Sequence, residues 1–213
     1  MILQEISEKL QAGKANDVKA LVQQAIDEGF SAQQILEEGL VSGMNVIGEK
    51  FKNNEVFIPE VLVAARAMNM GAALLKPLLV AEGVKASGKV VIGTVQGDMH
   101  DIGKNIVKMM MEGKGLDVID LGADVSPQQF VETAKNENAQ IICCSALLTT
   151  TMGVMADVVK LAEEAGIRDR VKIMVGGAPL SDAFCKQIGA DAYSPDATSA
   201  AEKTVEFCAE LAG

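Results

Sequence analysis

Histidine is nearly absent from this 213-residue chain, which contains one, His100. A metal centre built from several imidazoles is excluded, because a bare ion such as zinc needs at least about three protein ligands. Cysteine is scarce and unsuitably spaced. Cys143, Cys144, Cys185 and Cys208 form no CxxC pair, and the vicinal two lie inside the apolar run QIICCSALL, so reduced, buried thiols are expected rather than a disulfide frame or a zinc site. Basic residues are outnumbered, 19 Lys and Arg against 29 Asp and Glu, for a net charge of −10. With no basic stripe to neutralise phosphates, nucleic-acid partners are excluded. No uninterrupted apolar run approaches the roughly 18 to 20 residues that span a bilayer, and the opening MILQEISEKLQAGK interleaves charges with apolar residues, unlike a secretory leader. A soluble, cytoplasmic protein with no membrane partner is expected.

What the chain does have is apolar content, 49%, ample for the core of one large domain or two small ones. Two grammars divide it. Up to about residue 80 the pattern is helical: Ile2, Ile6 and Leu10 recur at helix spacing, Asn16 or Asp17 can cap a second helix through Ile26, and Ser31 can cap a third running to Phe51. Pro59 suits the first turn of a fourth helix, and Pro77 limits or kinks its end. The small, polar stretch 81–89 reads as a linker. The expected division is a four-helix unit, 1–86, and a second domain, 87–213.

In that second domain, five short β-rich runs (KVVIGTV, LDVIDLG, QIICCSA, VKIMVGG, DAYS) alternate with five helical segments. Strict alternation implies a parallel sheet covered on both faces by right-handed crossovers, a doubly wound, flavodoxin-like α/β fold. Its ligand belongs beyond the carboxyl ends of the strands, at the loops GDMHDIG, SALLTTT, GGAP and YSPDA. A dinucleotide is disfavoured there, since GTVQGDMHDIG lacks the GxGxxG spacing and would set two carboxylates against the phosphates. The triplet Met109, Met110, Met111 reads as helix core.

His100 remains to be explained. A neutral imidazole can ligate through one nitrogen if an acceptor holds the other, and Asp98 is spaced to do so. One protein donor is too few for a free ion but suffices for a metal already ligated by a macrocycle, either haem or a cobalt corrinoid. A polar, glycine-bearing groove at the mouth of an α/β sheet favours the corrinoid. Asp101 reads as a cap for the following helix.

Asp98, His100 and Gly103 match DxHxxG, Ser145-Ala146-Leu147 matches SxL, and Gly176-Gly177 supplies a GG, each after its proper strand. Together they resemble the cobalamin-binding domains in which a protein histidine replaces the cofactor's own benzimidazole. Residues 43–68 resemble the helical cap that precedes such a domain in methionine synthase and in the small corrinoid proteins of methyltransferase systems. The chain as given, cap plus cobalamin domain, looks like the stand-alone corrinoid protein.

The resemblance implies roles. His100 would be the lower axial ligand of cobalt, Asp98 would hold its other nitrogen, and Thr151, where relatives often have serine, would extend the relay. Gly97, Met99, Asp101, Ile102 and Gly103 would line the cofactor loop. Ser145, Leu147, Thr149, Gly176, Gly177 and Tyr193 would line the slot for the displaced nucleotide tail. Phe51 and Ile58 would shield the upper face, with Met44 and Val61 as helpers or as bundle core, and Glu37 would lie near the corrin edge. Such a protein would be a methyl carrier, with a substrate:corrinoid methyltransferase, a second methyltransferase using tetrahydrofolate or coenzyme M, and a reductive activation protein as partners. The 81–89 linker would be its hinge. A cobalamin-dependent sensor or regulator is the alternative.

Overall fold

Apolar residues spaced four apart build the first helices on one buried stripe each. In the computed structural model, which describes residues 1–82 and 86–212, α1 (Ile2–Gln11) buries Ile6 and Leu10, and α2 (Ala15–Asp27) buries Val18, Val22 and Ala25. Neither Asn16 nor Asp17 caps α2, because the helix starts earlier. Gly13, at φ 67, closes the turn with the Lys14 amide on the Lys9 carbonyl at 3.0 Å, so both residues fall inside the first helical turn. Asp17 there still suits the positive helix end.

Ser31 does cap the third helix, its hydroxyl accepting from the Gln34 amide at 3.2 Å while the Gln34 side chain reaches back to the Ser31 amide. The run then passes from α3 (Ala32–Gln34) through a π-helical stretch, Ile35–Val41, into α4 (Ser42–Lys52). Nothing in the residue types announced the π turns. Helix α5 (Ile58–Ala81) carries Pro59 in its first turn and continues past Pro77. Pro77 and Ala73, whose carbonyl loses a donor, are both exposed, so water can satisfy it. By length and composition Ile58–Leu79 could cross a membrane. Its buried Val61, Ala64, Ala67, Met68 and Leu75 pack the helical core. Of the 81–89 linker, residues 83–85 lie outside the described residues.

The chain divides into two compact units, Met1–Ala86 with Glu112–Gly115, and Ser87–Met111 with Leu116–Gly213. In the second, β1 (Lys89–Thr94), β2 (Asp117–Asp120), β3 (Ile141–Ser145), β4 (Lys172–Gly176) and β5 (Ala192–Tyr193) form one parallel sheet in the order β2-β1-β3-β4-β5. One helix follows each strand: α6 (Ile102–Gly113), α7 (Pro127–Asn136), α8 (Gly153–Glu164), α9 (Asp182–Ile188) and α10 (Ala197–Ala212). The expected doubly wound fold is present. Its strand order reverses between β1 and β3, which places the crevice at the ends of these two strands.

One core joins Val91, Ile142, Ile173, Phe130, Met155 and Val158. Met110 and Met111 are buried as expected. All four cysteines are free and buried, and burial pushes the Cys144 thiol up to about 12, which makes it inert.

Lys104, in the first turn of α6 and 2% exposed, forms a tight ion pair with Asp120 at the end of β2. Lys108 at 3.3 Å and the Gly122 amide at 2.9 Å complete the carboxylate's partners. Burial acts to raise the Asp120 pKa, but these donors outweigh it and hold the carboxyl below its ordinary value. The resulting stability is present above the unfolded value, about pH 4, and is lost as pH falls through the lower folded value. Asp120→Asn should therefore destabilise the protein by about 3 kcal/mol near pH 7, with the gap to wild type closing below about pH 4. Urea unfolding across pH measures this, and a pH-independent gap would refute the ion-pair account.

Candidate functional site

The loop after β1 starts with a left-handed Gly97, φ 84, which turns the chain so that Asp98 points inward and His100 outward. Asp98 is 0% exposed. A buried carboxylate needs donors for its lone pairs, and Asp98 has them from two loops. Its Oδ1 accepts from the His100 amide at 3.0 Å and lies 2.8 Å from His100 Nδ1. Its Oδ2 accepts from the amides of Leu147 at 2.7 Å and Leu148 at 3.0 Å, and from Thr151 Oγ1 at 3.1 Å. Burial alone would raise its pKa, but the backbone amides and the imidazole outweigh that and hold the carboxyl well below the usual range.

An ionised Asp98 can only accept, so the proton between it and His100 sits on Nδ1. In the neutral ring this tautomer leaves the lone pair on Nε2. Among the described residues Nε2 has no hydrogen-bond partner, and the His100 side chain is 52% exposed. The imidazole is thus held at one nitrogen and offers the other as a donor. The described residues contain no group of three or more His, Cys, Asp or Glu able to hold a bare metal ion, so Nε2 suits a metal whose other ligands come from elsewhere.

Thr151, almost fully buried, shares its single hydroxyl proton between Asp98 Oδ2 and the Leu148 carbonyl, 2.9 Å away. The expected trio of Thr151, Asp98 and His100 is therefore brought together. Asp101 stands immediately before α6, its carbonyl accepting from the Asn105 amide and its carboxylate from the Asn105 side chain. Met99 and Ile102 in this loop, and Leu147 and Leu148 opposite, leave large apolar side chains exposed, an unusual cost unless something apolar covers them.

The remaining slot residues line the same sheet edge. Thr94, Ser145 and Gly176 are in register across β1, β3 and β4, Tyr193 pairs with Val175, and Thr149 is exposed in the loop after β3. The glycines differ in kind. A Cβ on Gly177 would lie 1.8 Å from the Ala146 carbonyl oxygen, and its φ is 135, so backbone packing demands glycine there. A Cβ on Gly103 would meet nothing within 4 Å. Folding gives no reason for that glycine, and the open space beside α6 fits a ligand's passage.

In the helical unit, Met44 and Val61 are buried, at 2% and 0% exposure. Of the two roles expected for them, helper on the upper face or bundle core, their burial fits core packing. Ile58 is exposed, Phe51 is half-buried, and Glu37 is exposed on the π-helical stretch. The sequence reading missed the exposed Phe57 and Leu62 near Ile58. It also missed Leu148, Thr94 and Asp124 around the histidine loop.

Known proteins resemble this chain in sequence and in fold. Two B12 binding domain families match, one over residues 88–204 and one over residues 2–76. A dimethylamine corrinoid protein of Methanosarcina barkeri is 44% identical over 98% of each chain. Among solved structures, the methanol:cobalamin methyltransferase complex of Methanosarcina barkeri contains a chain that superposes with a TM-score of 0.87 at 29% identity, over 98% of this chain and 80% of that one. A cobalamin-binding protein from Desulfitobacterium hafniense gives a TM-score of 0.80 at 29% identity, over 96% and 98% of the two chains.

The two glycines should respond oppositely to alanine. Gly177→Ala should cost about 3 kcal/mol or more of stability, whereas Gly103→Ala should be neutral or stabilising by up to about 1 kcal/mol. Thermal denaturation of both variants without added ligand checks this, and similar losses at the two positions would contradict the assignment of Gly103 to a ligand.

Proposed function

We propose that this chain, which belongs to the B12-binding corrinoid protein family, is a methyl carrier that takes a methyl group from one methyltransferase and yields it to another. The observation that carries this is the half-exposed His100 ring, fixed at Nδ1 by a buried, ionised Asp98 and free at Nε2. A bound corrinoid supplies a cobalt centre that accepts and gives up a methyl group. Every other part of the proposal concerns what the chain's own residues do.

His100 Nε2 would be the protein's ligand to that metal. Donation from Nε2 would leave the ring more positive, and the Asp98 carboxylate beside Nδ1 would stabilise that charge. With Nε2 unengaged, the same carboxylate would still hold the Nδ1–H and the ring's orientation. Thr151 and the Leu147 and Leu148 amides hold Oδ2 throughout, which prevents the carboxylate from turning away. Gly103 leaves room for the nucleotide tail, with Ser145, Thr149, Gly176 and Tyr193 along its course. Met99, Ile102, Leu147 and Leu148 present an apolar surface from which water is readily displaced.

The donor we infer is a methylated amine, supported by the 44% identity to a protein named for dimethylamine. The matching methyltransferase would be one partner. A second methyltransferase, using tetrahydrofolate or coenzyme M, and a reductive activation protein would complete the system, in the cytoplasm, where the buried thiols stay reduced. Ile58 and Phe51 of the helical unit are the residues we assign to shielding the methyl group, and Glu37 to the corrin edge.

Reconstitution with hydroxocobalamin tests the reading. Wild type should retain the corrinoid through desalting, and His100→Ala should retain it with a changed absorption spectrum. Gly103→Leu should weaken binding at least about tenfold, roughly 1.4 kcal/mol, with little change in the melting temperature of the ligand-free protein. Methyl transfer from dimethylamine should require an added amine methyltransferase. A wild-type protein that emerges colourless, or a His100→Ala spectrum equal to wild type, would sink the proposal.

A further inference from the structure

Thr94 is an anomaly in β1. It is the last residue of a strand whose Val90, Val91 and Ile92 are buried, and it is itself 0% exposed. A hydroxyl in such surroundings needs a partner, and Thr94 Oγ1 donates to the carbonyl of His100 at 2.9 Å. The contact reaches from the rigid end of a central strand to the main chain of the residue whose ring faces outward.

The anchor itself is held firmly. The Thr94 amide donates to the Gly122 carbonyl at 2.9 Å, and its carbonyl accepts from the Val125 amide at 3.0 Å. Between those two residues lies Asp124, in the left-handed region at φ 57. Its amide donates to the Asp98 carbonyl at 3.0 Å, and its Oδ1 accepts from the Gly97 amide at 2.8 Å. The loop after β2 therefore grips the first half of the histidine loop, and Thr94 grips the second.

Asp98 fixes the His100 amide and ring, both on one side of the residue. Nothing in that contact restrains the carbonyl, and the peptide following His100 leads into α6 only two residues on. We propose that Thr94 is a positioning residue for His100: its buried hydroxyl pins the His100 carbonyl, so that the half-exposed ring presents Nε2 in a single orientation. Asp124 is the second half of the same clamp. The inference rests on the reading of His100 as the axial donor. Without the pin the loop samples conformers in which Nε2 is misdirected, and the ligated state weakens in proportion to the competent fraction lost.

The test compares Thr94→Val, which keeps shape and burial, with Thr94→Ser, which keeps the hydroxyl. Each protein is loaded with hydroxocobalamin and reduced to the cob(II)alamin form, and the ratio of nitrogen-ligated to unligated cobalt is read from electron paramagnetic resonance and absorbance. Thr94→Val should lower that ratio about three- to tenfold, the worth of one hydrogen bond, while total bound corrinoid stays near wild type. Thr94→Ser should restore it. An unchanged ratio in Thr94→Val, with or without a lower melting temperature of the ligand-free protein, would show the hydroxyl to be purely structural and overturn the inference, as would equal loss in the serine variant. If Thr94→Val does not fold, Asp124→Ala, at an exposed position, decides: a lowered ratio supports the clamp and an unchanged one overturns it. His100→Ala is run alongside. If it matches wild type, the axial-donor reading fails and this inference with it; if it differs while Thr94→Val matches wild type, this inference alone fails.

Discussion

One buried carboxylate organises the functional end of this molecule. Asp98 lies between two loops that are far apart in sequence, and each of its oxygens is claimed by a different one: Oδ1 by His100, Oδ2 by Leu147, Leu148 and Thr151. A negative charge in such a place is tolerable only while all those donors are present. The loop after β3 is therefore held in position by the same charge that sets the tautomer of the imidazole. Scaffold and chemistry cannot be varied separately at this residue.

Around that charge the fold supplies rigidity in layers. The three central strands are parallel and mostly buried, and the switch in strand order opens the crevice beside β1. The Lys104–Asp120 pair ties the start of α6 to the end of β2, which fixes the far side of the histidine loop. The loop between these anchors is short and exposed, yet most of its polar backbone groups are paired. Its exposed apolar side chains are the exception. A protein that pairs its polar atoms so fully while leaving Met99 and Ile102 uncovered has a surface shaped for a partner rather than for water.

The alternation of strands and helices was legible because both periods are carried by apolar residues, and DxHxxG was legible because the chemistry of one loop lies within six consecutive residues. Other features had no such signature. The amides of Leu147 and Leu148 hold Asp98, but every residue has an amide, so only the folded loop shows which ones converge. The π-helical stretch Ile35–Val41 consists, apart from Gly39, of residues common in ordinary helices, so its extra residue per turn has no sequence mark of its own. Asn16 and Asp17 had the right side chains for a cap, yet the backbone turn at Gly13 started the helix before them. Met44 shows the converse limit, since an apolar residue on a cap helix serves a core or a lid equally well and only burial distinguishes them. Thr94 did leave a trace, a hydroxyl inside an apolar strand, whose meaning depended on where the strand ended.

The register of Thr94, Ser145 and Gly176 has a consequence for shape. These three in-register positions present side chains to the same face of the sheet, and they shrink stepwise from methyl plus hydroxyl, through hydroxyl alone, to nothing. Solvent access changes in parallel, from fully buried at Thr94 to half-buried at the other two. Side-chain bulk at this sheet edge thus falls from β1 to β4, leaving the least obstruction where β4 ends.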